Sequence, residues 1–156
     1  MFVFLSWIGT DGAVFVVAAA VFALLWRRPW LLVLVLAADL VAQLLSYGMR
    51  DLIDRRRPPL VYPEPKPLVG VPHSGAFPSG HASTAFACAT VLAWASPRLR
   101  IPAFLLAAAI AWSRVYVGVH WPLDVLGGAV LGVLVATALL TLVASRRQLR
   151  PETQAD

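Results

Sequence analysis

The sequence predicts an all-α protein, built as a polytopic bundle of helices that cross a membrane. Of its 156 residues, 60% are hydrophobic and 13% are charged, whereas an average soluble domain has about 45–50% and about 25%. The mean hydropathy is +0.76, and the apolar residues are concentrated in long runs. Because a bilayer offers no partner for backbone polar groups, such runs fold as helices.

Five apolar runs follow one another along the chain and predict about five spans. The second, fourth and fifth runs have the length of a spanning helix, and the first and third are shorter. Residues 1–12 are apolar and then broken by glycines, which predicts a short interfacial helix before the first span. A cleaved signal peptide is not expected, because no basic segment precedes the apolar run. The five runs are 13–26, 30–49, 82–96, 101–118 and 122–144.

At this length we expect a single membrane-embedded domain, 1–156, with two segments outside the apolar runs. The first is a Pro-rich loop, 58–78, between the second and third spans. The segment 50–78 holds seven of the twelve prolines. Since proline cannot continue a helix ladder, an ordered or semi-rigid loop is expected here. The second is a basic C-terminal tail, 145–156.

The basic residues indicate how the bundle lies in the membrane. Five crossings place seven basic residues at one end and six at the other. Several of the six belong to the motifs described next, so we place the group of seven in the cytoplasm. Nucleic-acid binding is not expected from the net charge of +5, because the arginines lie in short loops between apolar runs. The seven are Arg27, Arg28, Arg98, Arg100, Arg146, Arg147 and Arg150.

Three polar clusters fall at the opposite, extracytoplasmic end. The first is "RDLIDRRRP" (50–58), which ends the second span. The second is "PSGH" (78–81), which opens the third. The third is "SRVYVGVHWPLD" (113–124), which joins the fourth span to the fifth. Helix order alone therefore predicts that all three meet on one face of the membrane.

The residue types in these clusters suit phosphate chemistry. Arginine presents a planar fork of donors that matches phosphate oxygens, and the helix start at Gly80 offers free backbone N–H groups. His120 and Asp124 are four residues apart, so the carboxylate can orient the ring and leave one nitrogen as a nucleophile. His81 is then available to protonate a leaving oxygen.

Other polar residues have simpler interpretations. Arg55 and Arg56, like the arginines of the cytoplasmic end, are expected to be snorkelling anchors at the membrane edge. His73 is expected to be a structural loop residue. Asp39, inside the second span, is costly in lipid and should face the bundle.

The three clusters resemble the signature of the type 2 phosphatidic acid phosphatase family of membrane lipid phosphatases. That signature has a lysine seven residues before Arg-Pro, then Pro-Ser-Gly-His, then Ser-Arg with a histidine six and an aspartate ten residues after the arginine. The matches are Arg57-Pro58, Pro78-Ser79-Gly80-His81, and Ser113-Arg114 with His120 and Asp124. They lie within about 50–124, and one departs from the pattern: Arg50 stands at the lysine position. The family has six spans, so an N-terminal span is expected to be missing or reduced here.

The resemblance implies a mechanism and roles for these residues. His120 would attack phosphorus to form a phosphohistidine, Asp124 would orient it, and His81 would protonate the leaving group. Phosphate oxygens would be held by Arg50, Arg57, Ser79, Gly80 and Arg114. No metal and no cofactor is implied, since the cationic side chains supply the charge stabilisation.

The implied activity is hydrolysis of a lipid phosphomonoester or diphosphate in the cell membrane. By resemblance to small bacterial members, undecaprenyl diphosphate is the first choice of substrate, and phosphatidylglycerophosphate and phosphatidate are the nearest rivals. A vanadate-dependent haloperoxidase has a similar site, but those enzymes are soluble. A non-catalytic lipid-binding or scaffold protein is the alternative from another class.

Overall fold

The structure, a computed structural model, describes residues 12–148 together with residue 3. Within this part of the chain we find helices and no β-strand, which confirms the all-α prediction. A 3₁₀ turn, Pro97–Leu99, leads into the fifth helix. The helices are α1 (Ala13–Leu25), α2 (Pro29–Ile53), the one-turn α3 (Pro58–Val61), α4 (Gly80–Ala95), α5 (Arg100–Tyr116) and α6 (Pro122–Gln148).

Three helical segments are long and apolar enough to cross a membrane, namely Pro29–Val61, Pro97–Tyr116 and Pro122–Arg146. They correspond to the second, fourth and fifth predicted spans. The first and third form shorter helices, α1 with 13 residues and α4 with 16. At 1.5 Å per residue, α1 is about 20 Å long, less than the ~30 Å of a bilayer core. The predicted interfacial helix lies outside the described residues except for Val3 and Gly12, and so does the tail beyond Gln148.

Helix α4 is the buried centre of the bundle, and α2, α5 and α6 pack around it. Its sequence is rich in Ala, with six in 16 residues, and 11 of the 16 are buried. Small residues let helices approach closely where lipid gives no hydrophobic drive to associate. On α6, a Cβ at Gly128 would collide with the carbonyl oxygen of Ser79, and one at Gly132 with that of Ser83. These two glycines therefore hold the start of α4 against α6.

Helices α2 and α5 each pack on α4 but hardly on each other within the described residues. This arrangement leaves a space between the ends of α2 and α5, in front of the start of α4. Asp39 of α2 faces the bundle, as expected for a carboxyl group at that depth. One of its carboxylate oxygens lies 3.9 Å from the Sγ of Cys88 on α4.

The Pro-rich loop begins with α3 and then folds back over this end of the bundle. The backbone N–H of Leu68 donates to the carbonyl of Val117 over 3.0 Å, and that of Ala76 donates to the carbonyl of Arg55 over 2.8 Å. These bonds join the loop to the ends of α2 and α5. The loop is therefore ordered, as its prolines predict, and it covers the ends of the helices that carry the polar clusters.

Candidate active site

The three polar clusters surround one cavity of about 250 Å³ at this end of the bundle. The end of α2, the start of α4 and the end of α5 form its walls, and the loop that follows α5 closes it. Six of the eight predicted site residues line it, and the other two, Ser79 and Asp124, lie buried directly behind. The six are Arg50, Arg57, Gly80, His81, Arg114 and His120.

His120 is 4% exposed and is held between an arginine and a carboxylate. Its Nε2 lies 3.1 Å from the NH1 group of Arg57, and because an arginine can only donate, Nε2 accepts. In the neutral ring the proton must then sit on Nδ1, which lies 3.6 Å from Oδ2 of Asp124. This tautomer is assigned from its neighbours. The distance exceeds that of a formed hydrogen bond, and a shift of about 0.5 Å would close it.

The charge state of His120 follows from its surroundings. Burial, the largest cause, and the positive charges of Arg57 and Arg114 together lower the pKa of His120 to about 4, although Asp124 acts in the opposite direction. The ring is therefore neutral near pH 7. A neutral imidazole whose Nε2 carries a lone pair and no proton is the form that can act as a nucleophile.

Asp124 is fully buried in the first turn of α6. Its Oδ2 accepts a hydrogen bond from the backbone N–H of Trp121 over 2.8 Å. This is the reciprocal half of a capping box, in which an acid at the third helical position binds the N–H of the residue before the helix. Its Oδ1 lies 3.1 Å from NH1 of Arg55. The carboxylate is thus held by Trp121 and by Arg55, independently of its contact with His120.

Arg57 is 1% exposed and uses all of its donors within the protein. Nε and NH2 donate to Ser74 and to the carbonyl of Gly75, while NH1 donates to the carbonyl of Val119 and contacts His120. Arg57 therefore ties the Pro-rich loop to the His120 segment. A phosphoryl oxygen near Nε2 of His120 can take over the N–H that Nε2 accepts in this structure.

Arg50, at the position of the family's lysine, is also buried. Its Nε donates to the carbonyl of Pro78 over 3.0 Å, and its guanidinium stacks 4.9 Å from the ring centre of Tyr47. Its NH2 end lies so close to Gly80 that a Cβ at position 80 would collide with it. Arg50 therefore reaches the cavity across the first residue of α4.

The start of α4 and the end of α5 complete the cationic wall. Gly80 begins α4, where free N–H groups and the helix dipole favour an anion. The hydroxyl of Ser79 is buried and makes no hydrogen bond within the described residues. Arg114, in the last turn of α5, is 6% exposed. Three buried guanidinium groups and a helix start therefore face one space.

One residue, Arg55, is placed otherwise than the sequence suggests, and His73 and Arg56 are exposed as expected. His73 is exposed and does not line the cavity. The prediction that Arg55 is a membrane-edge anchor is wrong, because Arg55 forms an ion pair with Asp124. Arg56 is exposed, but its carbonyl oxygen accepts a hydrogen bond from Nε1 of Trp121.

Sequence reasoning missed five further residues that line the cavity, namely Gln43, Tyr47, Pro72, Ser74 and Thr84. Gln43 and Tyr47 stand seven and three residues before Arg50, so all three share one face of α2. That spacing, together with a glutamine inside an apolar run, could have indicated from the sequence that Gln43 and Tyr47 face the same cavity as Arg50. Among the described residues, no group of three His, Cys, Asp or Glu side chains is placed to hold a metal ion.

The fold and the cavity together define an α-helical membrane protein with an arginine-lined, anion-binding type of cavity at one end of its bundle. Comparison with known sequences then identifies the family. The sequence profile of the PAP2 superfamily matches residues 28–148, so this chain belongs to that superfamily, and the predicted family resemblance is confirmed.

Individual relatives agree with this assignment. An undecaprenyl-diphosphatase from Sulfolobus acidocaldarius is 44% identical over 70 residues, which are 44% of this chain and 32% of that protein. A decaprenylphosphoryl-5-phosphoribose phosphatase from Mycolicibacterium smegmatis is 37% identical over 128 residues, which are 80% of this chain and 67% of that protein. The crystal structure of a transmembrane PAP2-type phosphatidylglycerolphosphate phosphatase from Bacillus subtilis superimposes with a TM-score of 0.74 and 28% identity, over 96% of this chain and 78% of that one. This chain thus spans about a third of the archaeal relative's length.

Proposed function

We propose that this protein is a membrane lipid phosphatase that hydrolyses a phosphomonoester or diphosphate through a phosphohistidine on His120. The observation that carries the proposal is the placement of this ring. It is neutral and buried, with Nδ1 turned to Asp124 and Nε2 turned into a cavity lined by Arg50, Arg57 and Arg114. A purely structural histidine has no need of three converging guanidinium groups.

In the first step, the Nε2 lone pair attacks phosphorus and the bond from phosphorus to the leaving oxygen breaks. His81, at the start of α4 and in the cavity wall, donates a proton to that oxygen. The ring of His120 becomes positively charged, and Asp124 stabilises it through the Nδ1 proton. The N–H of Arg57 that donated to Nε2 now donates its hydrogen bond to a phosphoryl oxygen. The other oxygens are held by Arg50, Arg114, the hydroxyl of Ser79 and the N–H of Gly80.

In the second step, His81 removes a proton from water as the water oxygen attacks the phosphorus of the phosphohistidine. The P–N bond breaks, inorganic phosphate forms, and the electron pair returns to Nε2. Fixed positive charges aimed at the phosphoryl oxygens supply the stabilisation of the transition state. This assigns the chemistry to the chain's own residues, without a metal or a cofactor.

For the substrate we propose a polyprenyl-linked phosphate, with undecaprenyl diphosphate as the first choice. The names of the archaeal and mycobacterial relatives specify undecaprenyl and decaprenyl compounds. Phosphatidylglycerophosphate is the second candidate, because a structural relative is named for it, and phosphatidate is the third. The cavity is lined by residues of α2, α4 and α5, which suits a substrate whose tail stays in the bilayer.

We further propose that the chain lies in the cell membrane with its site on the extracytoplasmic face. Support comes from the opposite end of the bundle, where Arg27, Arg28, Arg98 and Arg100 follow the predicted order of crossings. Trp30 and Trp94 pack edge to face there, with ring centres 5.8 Å apart. Tryptophan is enriched at both membrane interfaces, so this contact supports the placement of that end at an interface, and the arginines support its side.

The decisive experiment is release of inorganic phosphate by the purified protein in detergent, from a panel of the three candidate lipids. We expect turnover that EDTA does not reduce, highest on undecaprenyl diphosphate, and absent in His120→Ala. Lipid binding without phosphate release by the wild type would favour the scaffold alternative. If phosphate release is fastest from phosphatidylglycerophosphate, the proposed phosphatase activity stands, but the proposed preference for undecaprenyl diphosphate is wrong.

A further inference from the structure

Asp124 has a second charged partner, which the motif does not contain. NH1 of Arg55 lies 3.1 Å from Oδ1 of Asp124, and the other carboxylate oxygen, Oδ2, is the one nearest His120. The carboxylate is fully buried, while the Arg55 side chain is 37% exposed. The buried ring, the buried carboxylate and a half-buried guanidinium therefore form a line that leads from the cavity towards the surface.

Arg55 is fixed by the segments on either side of this line. Its guanidinium lies 6.0 Å from the ring centre of Trp121, and its carbonyl oxygen accepts the N–H of Ala76. Trp121 in turn donates from Nε1 to the carbonyl of Arg56 over 3.0 Å and packs edge to face on Tyr62. An arginine held in this way is not a mobile surface charge.

We propose that Arg55 is a positioning residue for the reaction. It binds Oδ1 of Asp124 so that Oδ2 stays turned towards Nδ1 of His120, and it offsets part of the carboxylate's negative charge. Arg55 does not line the cavity, so it acts through Asp124 and not on the substrate. The inference rests on the proposed function of His120 and Asp124.

The charged groups around His120 predict the direction of the effect. Arg57 of the α2–α3 segment, Arg114 of α5 and Asp124 of α6 face the ring, and Arg50 and His81 line the same cavity. Removal of the Arg55 charge leaves more of the negative charge of Asp124 acting on His120. The pKa of His120 should therefore rise, because an uncompensated neighbouring anion favours the imidazolium. The ring should also lose orientation, since one carboxylate oxygen has lost its partner.

The test compares Arg55→Gln and Arg55→Met with Arg55→Lys, and uses the exposed neighbour Arg56→Gln as the matched control. For Arg55→Gln we expect kcat on a soluble aryl phosphate to fall about 10-fold or more, with KM unchanged within about twofold. NMR titration of the His120 ring nitrogens should show a pKa raised by about 0.5–1 unit. Arg55→Lys should keep most of the wild-type kcat and a pKa of His120 close to that of the wild type. Arg56→Gln should match the wild type in both.

Three results would overturn the proposal. In the first, Arg55→Gln matches Arg56→Gln in kcat and in the titration, as a surface anchor would. In the second, KM rises and the titration stays unchanged, as expected for a residue that contacts substrate. The third concerns the double variant described below. Arg55→Met replaces Arg55→Gln if the amide variant does not fold. In an Asp124→Asn background, loss of Arg55 should no longer move the His120 titration, and a shift there would also refute the mechanism.

The titration separates this proposal from the proposed function. A wild-type protein that releases no phosphate would refute the phosphatase assignment. The effect of Arg55 on the His120 ring would still be measured in that protein.

Discussion

Nε2 of His120 accepts a hydrogen bond from NH1 of Arg57 across 3.1 Å, so this arginine stands against the ring nitrogen that attacks phosphorus in the proposed reaction. The contact fixes the neutral tautomer with its proton on Nδ1. In the proposed reaction the same N–H then donates to a phosphoryl oxygen. This contact between the first and third clusters thus joins the proposed nucleophile to one of its proposed phosphate-binding groups.

The first prediction concerns the protonation of His120. Because its folded-state pKa is lowered to about 4, the ring should remain neutral between pH 5 and 7 and lose its nucleophilic lone pair as the pH falls through about 4. The same shift makes folding less favourable as the pH falls from the unfolded value of about 6.5 towards 4. NMR titration of the ring nitrogens, assigned with His120→Ala, measures this directly. A midpoint near 6.5 would contradict it.

The second prediction separates the two histidines of the cavity by leaving group. His120→Ala should abolish turnover on every substrate, because no other residue in the cavity is placed as a nucleophile. His81→Ala should be impaired more on a lipid monophosphate than on nitrophenyl phosphate, whose leaving group needs little protonation. Steady-state kinetics on both substrates measures the difference. Equal losses on the two would remove His81 from the role of acid.

The third prediction is that Asp124→Asn lowers kcat with little change in KM. The amide can pack in the same space but cannot stabilise the charged ring, and by analogy with the serine protease triad the loss is up to about 10⁴-fold. The Arg55 ion pair is lost with the same substitution. Near-normal rates would leave Asp124 as a helix-capping carboxylate, since its bond to the N–H of Trp121 would then account for its burial.

Much of this architecture could be predicted from the sequence for one physical reason. A bilayer accepts only helices whose backbone bonds are satisfied, so apolar runs such as 30–49 and 122–144 had few alternatives. Their order then places the three polar clusters at one end. The short first and third runs were harder to predict as helices of the bundle. The third run forms α4, whose central position depends on packing against small residues such as Gly128 and not on its hydropathy.

The partners of the individual arginines could not be predicted in this way. An arginine at a membrane edge has the same sequence context whether it extends to water, as expected for Arg55, or turns back to a carboxylate, as Arg55 does. Which direction the side chain takes depends on the path of the Pro-rich loop, in which the N–H of Ala76 donates to the carbonyl of Arg55. Long-range hydrogen bonds set that path, and they leave no local pattern.

The fourth prediction concerns the glycine beside Arg50. In Gly80→Ala the added Cβ would collide with the NH2 end of Arg50, so the guanidinium must move away from the cavity and kcat/KM should fall. Gly48→Ala on the same α2 helix is the control, because its Cβ meets nothing within 4 Å and should raise helix stability by up to about 1 kcal/mol. Phosphate release and thermal unfolding measure the two effects. Unchanged kinetics in Gly80→Ala would show that Arg50 does not need its present position.

The fifth prediction tests whether Arg50 has the role of the family's lysine. Arg50→Ala should raise KM and lower kcat/KM by roughly 10- to 150-fold, since a charged hydrogen bond is worth about 1.5–3 kcal/mol. Arg50→Lys should stay largely active, because an ammonium group on α2 restores the family's usual residue. Kinetics on both variants, with Arg57→Ala as the positive control, provides the measurement.

The opposite outcome for Arg50 has a structural explanation that the same kinetics would reveal. Its Nε already donates to the carbonyl of Pro78, so Arg50 could serve mainly to tie α2 to the start of α4. In that case both Arg50 variants would lose thermal stability but keep kcat/KM within about twofold in the folded fraction. Orthovanadate, a phosphate mimic, would then inhibit the wild type and Arg50→Ala at similar concentrations. A neutral Arg57→Ala would go further, because it would remove the whole first cluster from the phosphate site.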